Sequence, residues 1–194
     1  MRRRILDAAR DVFTSEGYDR VTMRAVAEAI EYSPTAIYNH FVDKNDLLQS
    51  LCEEDFLGLL TALAQEPRPE DPVEWVRALG RSYARFALEY PNHYRFMFMT
   101  PSHQHHHDHD AGLKPGAQSF EMLRKAVTAA IESGRFRGGD ATHMSQVLWA
   151  NIHGAASLLI TIEPAQWPLA PPDPELVEQV LETGLRGMCA TPRD

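Results

Sequence analysis

The spacing of the apolar residues constrains the fold of this chain more than any other feature of the sequence. Apolar residues recur every three or four positions along almost the whole chain, as in the N-terminal stripe of Ile5, Leu6, Ala9, Val12 and Phe13. This spacing places them on one face of an α-helix, and no stretch of useful length shows the alternation of a β-strand. The sequence therefore predicts an all-α fold.

The composition is that of a globular protein. The 194 residues are 44% hydrophobic and 24% charged, and a chain of this length can hold a sizeable core. No apolar run approaches the ~20 residues of a membrane span. Asp7, Arg10 and Asp11 interrupt any signal peptide behind the basic start at residues 1–4. We therefore expect a cytoplasmic protein without membrane contact.

The charge and the cysteine content of the chain further limit the classes of protein to which it can belong. Cys52 and Cys189 are the only cysteines, which is no disulfide framework, and we expect both to be reduced. The net charge of −8 argues against a generic polyanion binder. Residues 1–48, however, carry 7 basic and 8 acidic residues and thus a net charge of only −1. Because local charge decides contact with DNA, this segment remains compatible with DNA binding.

Local signals in the first third of the chain predict a first helix that ends at Gly17, then two short capped helices and a longer capped one. Thr22 is placed to cap a helix that runs to Ile30. Ser33-Pro34 combines a capping hydroxyl with a proline at the first helical position, and predicts a helix from Ser33 to Phe41. Asp43 is placed to cap a helix that continues to Ala64. The pattern predicts a helix-turn-helix with Glu31-Tyr32 as its turn.

The rest of the chain is punctuated by proline, glycine and acidic caps. Asp71-Pro72 and Asp140 predict helix starts, whereas Tyr90-Pro91 and Gly134 predict helix ends. The predicted segments are a helix from 72 to 90, a short helix over 92–99, a His-rich loop over 100–114, helices over 115–133, 140–162 and 174–189, and an extended, proline-rich linker over 163–173.

The helix-turn-helix geometry predicts a role for several side chains. The N-terminal residues of a recognition helix meet base edges in the major groove, and Asn39 is placed to pair with an adenine. Tyr38 and His40 are placed to reach the DNA backbone, and Lys44 adds a cation at a helix start. Residues 2–4, three consecutive arginines, are either a DNA-reaching arm or an ordinary solvated terminus.

This segment resembles the DNA-binding domain of TetR-family transcription regulators. The resemblance covers about residues 3–49 and rests on Ile5-Leu6-Asp7-Ala8-Ala9, Phe13, Gly17-Tyr18, the run from Val21 to Ala27, the run from Tyr32 to Phe41, and Lys44-Asn45-Asp46-Leu47-Leu48. One departure is that Glu31 replaces the usual turn glycine and Tyr32 the following aliphatic residue. The expected DNA-binding residues are Arg4, Thr22, Met23, Arg24, Ser33, Pro34, Thr35, Ala36, Tyr38, Asn39, His40 and Lys44.

The resemblance implies an all-α homodimer whose larger C-terminal domain binds a small-molecule effector. A long helix would join residues 1–48, the helix-turn-helix domain, to residues 49–194, the effector-binding and dimerisation domain. Most regulators of this family are repressors that leave an inverted-repeat operator when the effector binds. The last two helices, about 140–162 and 174–189, would form the dimer bundle. Their expected stripes are Met144, Val147, Leu148, Ile152, Ala155 and Leu159, and Val177, Val180, Leu181, Leu185 and Met188.

The effector site is predicted only in outline. Trp149 and His153-Gly154 resemble a signature of one C-terminal subgroup of the family, and the pair is either packed in the core or part of a pocket wall. Effector sites are mostly apolar with few polar groups. The candidate effector-binding residues are Trp75, Tyr83, Phe86, Phe96, Met99, Trp149 and His153.

A His-rich loop supplies a competing interpretation. Imidazole and carboxylate groups suit zinc, nickel or copper, so this loop is either a metal site or a flexible polar loop. Its histidines are His103, His105, His106, His107 and His109. The alternative function is accordingly a metal-responsive regulator or a metal-binding protein. A metal-dependent hydrolase is disfavoured, because the chain has no nucleophile elbow, phosphate loop or dinucleotide fingerprint; we expect no enzyme and no required cofactor.

Overall fold

The computed structural model describes residues 1–99, 114–168, 170, 172 and 175–190. Within these residues the fold is helical, and an isolated antiparallel bridge between Phe136 and Cys189 is its only β-type pairing. The predicted all-α class is confirmed. The helices are α1 (Arg2–Glu16), α2 (Met23–Ala29), α3 (Pro34–Tyr38), α4 (Lys44–Ala64), α5 (Pro72–Glu89), α6 (Pro91–Phe98), α7 (Pro115–Glu132), α8 (Ala141–Thr161) and α9 (Leu176–Met188).

The predicted helix caps are present, because each cap depends on residues only two or three positions away. The hydroxyls of Thr22 and Ser33 accept hydrogen bonds from the backbone N–H groups of Ala25 (3.0 Å) and Ala36 (3.3 Å). The carboxylates of Asp43, Asp71 and Asp140 accept in the same way at the starts of α4, α5 and α8. These five interactions fix where the helices begin.

Three predicted boundaries differ from the structure. Residues 2–4 belong to α1 rather than to a flexible arm, since the N–H of Ile5 already donates to the carbonyl of Met1. The recognition helix α3 ends at Tyr38, three residues before the predicted Phe41. The segment expected to be fully extended contains a 3-10 turn over Pro164–Gln166, because a proline at the first position already has a helical φ angle. The predicted start at Asp173-Pro174 lies outside the described residues.

The chain forms two compact units. The N-terminal unit comprises the described residues of Met1–Gly58 and Asn92–Pro115, and the C-terminal unit those of Leu59–Pro91 and Gly116–Asp194. The predicted domain boundary after residue 48 lies inside α4. The helix-turn-helix helices surround a core in the N-terminal unit to which α6 contributes Phe96; its other fully buried members include Ile5, Leu6, Val26, Ile37, Phe41, Leu47 and Leu51.

In the C-terminal unit, α5, α8 and α9 pack closely. A Cβ atom added to Gly80 of α5 would lie 2.7 Å from Cδ1 of Leu181 on α9, so glycine permits this approach. Arg77 of α5 donates to Glu182 of α9 through Nε (2.5 Å) and Nη2 (3.2 Å), and Arg81 pairs with Glu178 one turn away. The arginines lower the pKa of both glutamates by hydrogen bonding to their charged form.

The stripes expected to form the dimer bundle are largely used inside the subunit. Met144, Leu148 and Ile152 of α8 and Leu181, Leu185 and Met188 of α9 are buried, because the two helices pack against each other and against α5. The prediction that these six side chains face a partner subunit is wrong, whereas an interface through α8 and α9 stays a prediction. The large apolar side chains that α8 leaves exposed are those of Trp149 (38%), Val147 (39%) and Leu158 (46%), and the last two lie on one side of the helix. Between them lies Gly154, where an added Cβ would meet open space.

Candidate nucleic-acid interface and C-terminal polar cluster

The turn between α2 and α3 keeps a left-handed conformation although it lacks glycine. Glu31 has a φ angle of 60°, a value that costs a residue with a side chain about 1 kcal/mol or more. The N–H of Tyr32 donates to the carbonyl of Ala27 at 2.9 Å and closes the turn. The departure at Glu31 thus preserves the backbone shape that a glycine would provide.

The recognition helix has one buried anchor and one exposed polar face. The side chain of Ile37 is fully buried in the N-terminal core, and this fixes the rotation of α3. Thr35, Asn39 and His40 are exposed, as are Ser33 and Pro34, while Ala36 is half-buried. The ring of Tyr38 is 55% exposed. These exposed residues include most of the predicted DNA contacts.

At the start of α2, the residues predicted to contact DNA differ in exposure. Thr22 and Arg24 are exposed, and the hydrogen bond from Arg24 to Glu28 (2.8 Å) raises the pKa of the guanidinium. Met23 differs, because its side chain packs in the core and is only 7% exposed. A contact of Met23 with DNA would therefore use its backbone N–H at the helix start rather than its side chain, and its role stays a prediction.

Three cations of the N-terminal unit lie over aromatic rings. The guanidinium of Arg4 is 5.5 Å from the ring centroid of Tyr32, and that of Arg2 is 5.1 Å from the ring of Phe41. The ammonium of Lys44 is 4.7 Å from the ring of Tyr18 and donates to its carbonyl at 3.2 Å. Such distances are within the range of cation–π attraction.

A buried ionic cluster beneath this surface was not predicted. Asp55 of α4 has an almost fully buried carboxylate, whose Oδ1 lies 2.6 Å from Nη2 of Arg10 on α1 and 2.9 Å from Nδ1 of His93 on α6. Burial, with the negative charge of Asp55 adding to it, raises the pKa of the neighbouring Cys52 thiol to about 12. An acidic residue at a core-facing position of α4 was the available signal in the sequence.

The C-terminal unit brings three of the predicted effector residues together. The indole N–H of Trp149 donates to the hydroxyl of Tyr83 at 3.2 Å, and this hydroxyl lies 3.0 Å from Nδ1 of His153. The ring of Phe120, which was not predicted, lies edge-on to Trp149 at 6.2 Å. Burial lowers the pKa of His153, which is therefore neutral at pH 7. Trp149 and His153 are in contact as predicted, and Tyr83 joins them.

The other four predicted effector residues lie in surroundings of their own. Phe96 is buried in the N-terminal core and packs edge-on to Phe13 at 5.0 Å, so its assignment to an effector pocket is wrong. Met99 also follows α6 in the N-terminal unit. Trp75 is buried under the guanidinium of Arg68 (4.3 Å), and Phe86 packs against Tyr90 (5.4 Å). The effector-binding roles of Trp75, Phe86 and Met99 stay predictions.

The predicted metal-binding histidines, residues 103 to 109, lie outside the described residues. Among the residues that the structure describes, no three His, Cys, Asp or Glu side chains form a group suited to hold a metal ion. None of the described helices is both long enough and apolar enough to cross a membrane.

A capped pair of short helices, a left-handed turn between them and an exposed polar face on the second define a helix-turn-helix protein. Residues 5–51 match the family of bacterial regulatory proteins named after TetR, and residues 76–183 match the tetracyclin repressor-like C-terminal domain. The chain belongs to the TetR family of bacterial transcription regulators. The members of this family are regulators rather than enzymes.

Individual relatives agree with this placement. The chain is 48% identical over 65 residues to the HTH-type transcriptional repressor Rv1474c of Mycobacterium tuberculosis, a match that covers 34% of this chain and 35% of the relative. Such matches span only about a third of the length of these relatives.

The fold is shared over nearly the whole chain. A Rhodococcus protein of unknown function is 27% identical, with a TM-score of 0.76 over 97% of this chain and 95% of that one. The TetR-family regulator PfmR of Thermus thermophilus is 22% identical, with a TM-score of 0.66 over 93% and 94% of the two chains. The two likenesses support the predicted fold, a helix-turn-helix domain followed by a helical C-terminal domain.

Proposed function

We propose that this protein is a cytoplasmic, homodimeric transcription repressor that binds an inverted-repeat operator and leaves it when a small-molecule effector binds. The observation that carries the proposal is the exposed polar surface of α3 and of the two residues that follow it, where Thr35, Asn39 and His40 are exposed while Ile37 is a fully buried anchor. An α-helix fits the major groove of DNA, and amide side chains such as Asn39 discriminate between bases there.

The relatives support repression as the output. The Mycobacterium tuberculosis relative is named an HTH-type transcriptional repressor, and residues 5–51 of this chain match the DNA-binding family model. In a homodimer, two recognition helices would meet successive major grooves about one turn of DNA apart.

Selection of bound sequences from a random DNA library tests the DNA-binding part directly. We expect an inverted repeat, and affinity for it that falls steeply with salt because phosphate contacts release counterions. Thr35→Ala and Asn39→Ala should change the selected bases. Lys44→Ala should weaken binding to all sequences alike and reduce the salt slope by about one. Arg137→Ala is the charge-matched control, since Arg137 is an exposed cation of the C-terminal unit.

Two results would contradict this assignment. Failure of the wild-type protein to enrich any sequence would overturn DNA binding as its function. Equal, sequence-independent losses for Thr35→Ala, Asn39→Ala and Lys44→Ala would overturn the division between base reading and phosphate contact.

The exposed stripe of α8 supports dimerisation. Val147, Gly154 and Leu158 lie on one side of the helix, and the open space at Gly154 permits close approach of a second helix. Leu158→Arg should convert the dimer to a monomer in sedimentation velocity and abolish binding to the full inverted repeat. Leu88→Arg is the matched control, because Leu88 of α5 is also 46% exposed. A dimer that persists in Leu158→Arg would move the interface away from α8.

The Tyr83–Trp149–His153 cluster is the proposed effector site. A neutral imidazole, a hydroxyl and an indole beside Phe120 suit a ligand with an apolar body and a hydrogen-bonding group. A small-molecule library is screened for compounds that release the selected operator. Tyr83→Phe and His153→Ala should abolish release while leaving operator affinity unchanged. Release that survives both variants would place the effector elsewhere.

A transition metal bound by residues 103–109 is the alternative to a small-molecule effector. Imidazole-rich segments bind zinc and nickel, so the same release assay is run with zinc chloride and nickel chloride. Operator release by either metal, lost when His103, His105, His106, His107 and His109 are replaced by Asn, would identify a metal-responsive regulator.

A further inference from the structure

Six of the seven basic side chains of residues 1–48 fall into two groups, and Arg3 belongs to neither. Arg10, Arg20 and Arg24 are each paired with carboxylates, at 2.6 Å to Asp55, 3.3 Å to Glu16 and 2.8 Å to Glu28. Arg2, Arg4 and Lys44 instead lie over the rings of Phe41, Tyr32 and Tyr18. A carboxylate neutralises the cation it holds, whereas an aromatic ring orients the cation and leaves its charge in place.

Arg4 and Tyr32 form the most accessible of these pairs. Tyr32 is 44% exposed and directly precedes Ser33, whose hydroxyl caps the recognition helix α3. The backbone that carries this ring is held in place, because the N–H of Tyr32 donates to the carbonyl of Ala27 and the preceding Glu31 lies in the left-handed turn. The guanidinium of Arg4 is thus held over the residue that directly precedes the capped start of α3.

We propose that Tyr32 is a positioning residue for DNA binding, and that its ring holds Arg4 where the guanidinium binds a phosphate of the operator next to the recognition helix. The proposal rests on the proposed DNA-binding function and adds Tyr32 to it, in a defined relationship to Arg4. A long, flexible arginine loses rotamer freedom when it binds, and a ring that already restricts the side chain reduces that loss. Because the segment as a whole carries a net charge of −1, each cation that keeps its charge contributes strongly to phosphate binding.

Tyr32 is also the one ring of the three whose replacement leaves the core intact. Phe41 is 1% exposed and belongs to the N-terminal core, and Tyr18 packs against that core. Replacing either of these rings would disturb folding together with the cation. The exposed ring of Tyr32 avoids this difficulty, so its variants report on Arg4 alone.

The test is a double-mutant cycle on the operator selected with the wild-type protein, measured by fluorescence anisotropy over a range of salt concentrations. Arg4→Ala should weaken binding about ten-fold and reduce the salt slope by about one. Tyr32→Leu keeps an apolar side chain but removes the ring, and should weaken binding about two- to five-fold. Tyr32→Phe keeps the ring and should bind like the wild type. The double variant Arg4→Ala/Tyr32→Leu should be no weaker than Arg4→Ala, because the two residues act as one unit.

The outcomes separate this proposal from the proposed function. If the wild type selects an operator but Tyr32→Leu binds it as tightly as the wild type, the positioning role is overturned while DNA binding stands. If the two losses multiply in the double variant, Tyr32 does not act through Arg4 and the proposal fails. A loss in Arg4→Ala that is confined to particular base sequences would show base reading and overturn the phosphate assignment. Thermal unfolding of each variant, expected to match the wild type, excludes a folding defect as the cause.

Discussion

Nη2 of Arg10 lies 2.6 Å from Oδ1 of Asp55, and both side chains are removed from solvent, with exposures of 12% and 1%. The contact joins α1, which carries the N-terminal arginines, to α4 in the core of the N-terminal unit. Nε of Arg10 and Oδ2 of Asp55 are buried without hydrogen-bond partners among the described residues. Oε2 of Glu54, which is also buried, lies farther away, 3.8 Å from the same Nη2. A buried charge that loses its closest counterion is costly, so removal of Asp55 should destabilise the N-terminal unit.

Asp55→Asn is therefore expected to lower the free energy of unfolding by about 3 kcal/mol. The substitution removes the negative charge but leaves the buried guanidinium in place. The measurement is equilibrium unfolding in urea, followed by circular dichroism. Asp7→Asn is the control, because Asp7 pairs with the same arginine at 3.1 Å but is 53% exposed; it should cost less than about 1 kcal/mol. Equal losses in the two variants would contradict the importance of burial.

The left-handed turn at Glu31 predicts a stabilising substitution. Glycine has no steric penalty at a φ angle of 60°, although it also increases the entropy of the unfolded chain. The net effect of Glu31→Gly is expected to be a gain of about 0.5–1 kcal/mol in the free energy of unfolding. Glu31→Ala keeps the Cβ atom and should show no such gain. If alanine stabilises as much as glycine, the carboxylate rather than the backbone is the source of the cost.

The two cysteines are expected to differ sharply in reactivity. Cys52 is 5% exposed with a pKa of about 12, whereas Cys189 is exposed at the end of α9. Because the thiolate is the reactive form, a thiol reagent at pH 8 should label one cysteine in the folded protein and both after denaturation. Cys189→Ser should abolish the rapid labelling. Rapid labelling that persists in this variant would show that Cys52 is accessible.

His153 predicts a loss of stability in mild acid. Because burial lowers its pKa below 6.5 in the folded protein, the unfolded chain takes up a proton first as the pH falls. The contribution to stability is therefore intact above pH 6.5 and is lost as the pH falls toward the folded-state value. The melting temperature of His153→Asn should fall less between pH 8 and pH 5.5 than that of the wild type. His143→Asn, an exposed histidine of the same helix, should behave like the wild type.

Features that depend on neighbours in the chain were predictable. Thr22, Ser33 and Asp43 cap their helices as expected, because a cap joins a side chain to an N–H group three residues away. The helix-turn-helix followed from these caps and from the spacing of apolar residues. The left-handed φ angle of Glu31 likewise belongs to a position where the family has glycine.

Features that depend on helix packing were not predictable. Phe96 has the same local sequence signal as a pocket-lining aromatic residue, yet it fills the N-terminal core. The stripe of α8 around Leu148 was expected at a dimer interface but is buried against other helices of the subunit. Tyr83 and His153 lie 70 positions apart, and their hydrogen bond depends on how α5 and α8 cross.

The amino-acid sequence by itself determined the helical class, most helix starts and the segment that presents a recognition helix, because these depend on periodicity and on interactions within one helical turn. Only the tertiary structure decided which face of each helix is buried, which cations are neutralised by carboxylates, and that Arg4 lies over Tyr32. The physical reason is that burial and ion pairing are properties of the packed assembly. They depend on distances between helices that no local pattern contains.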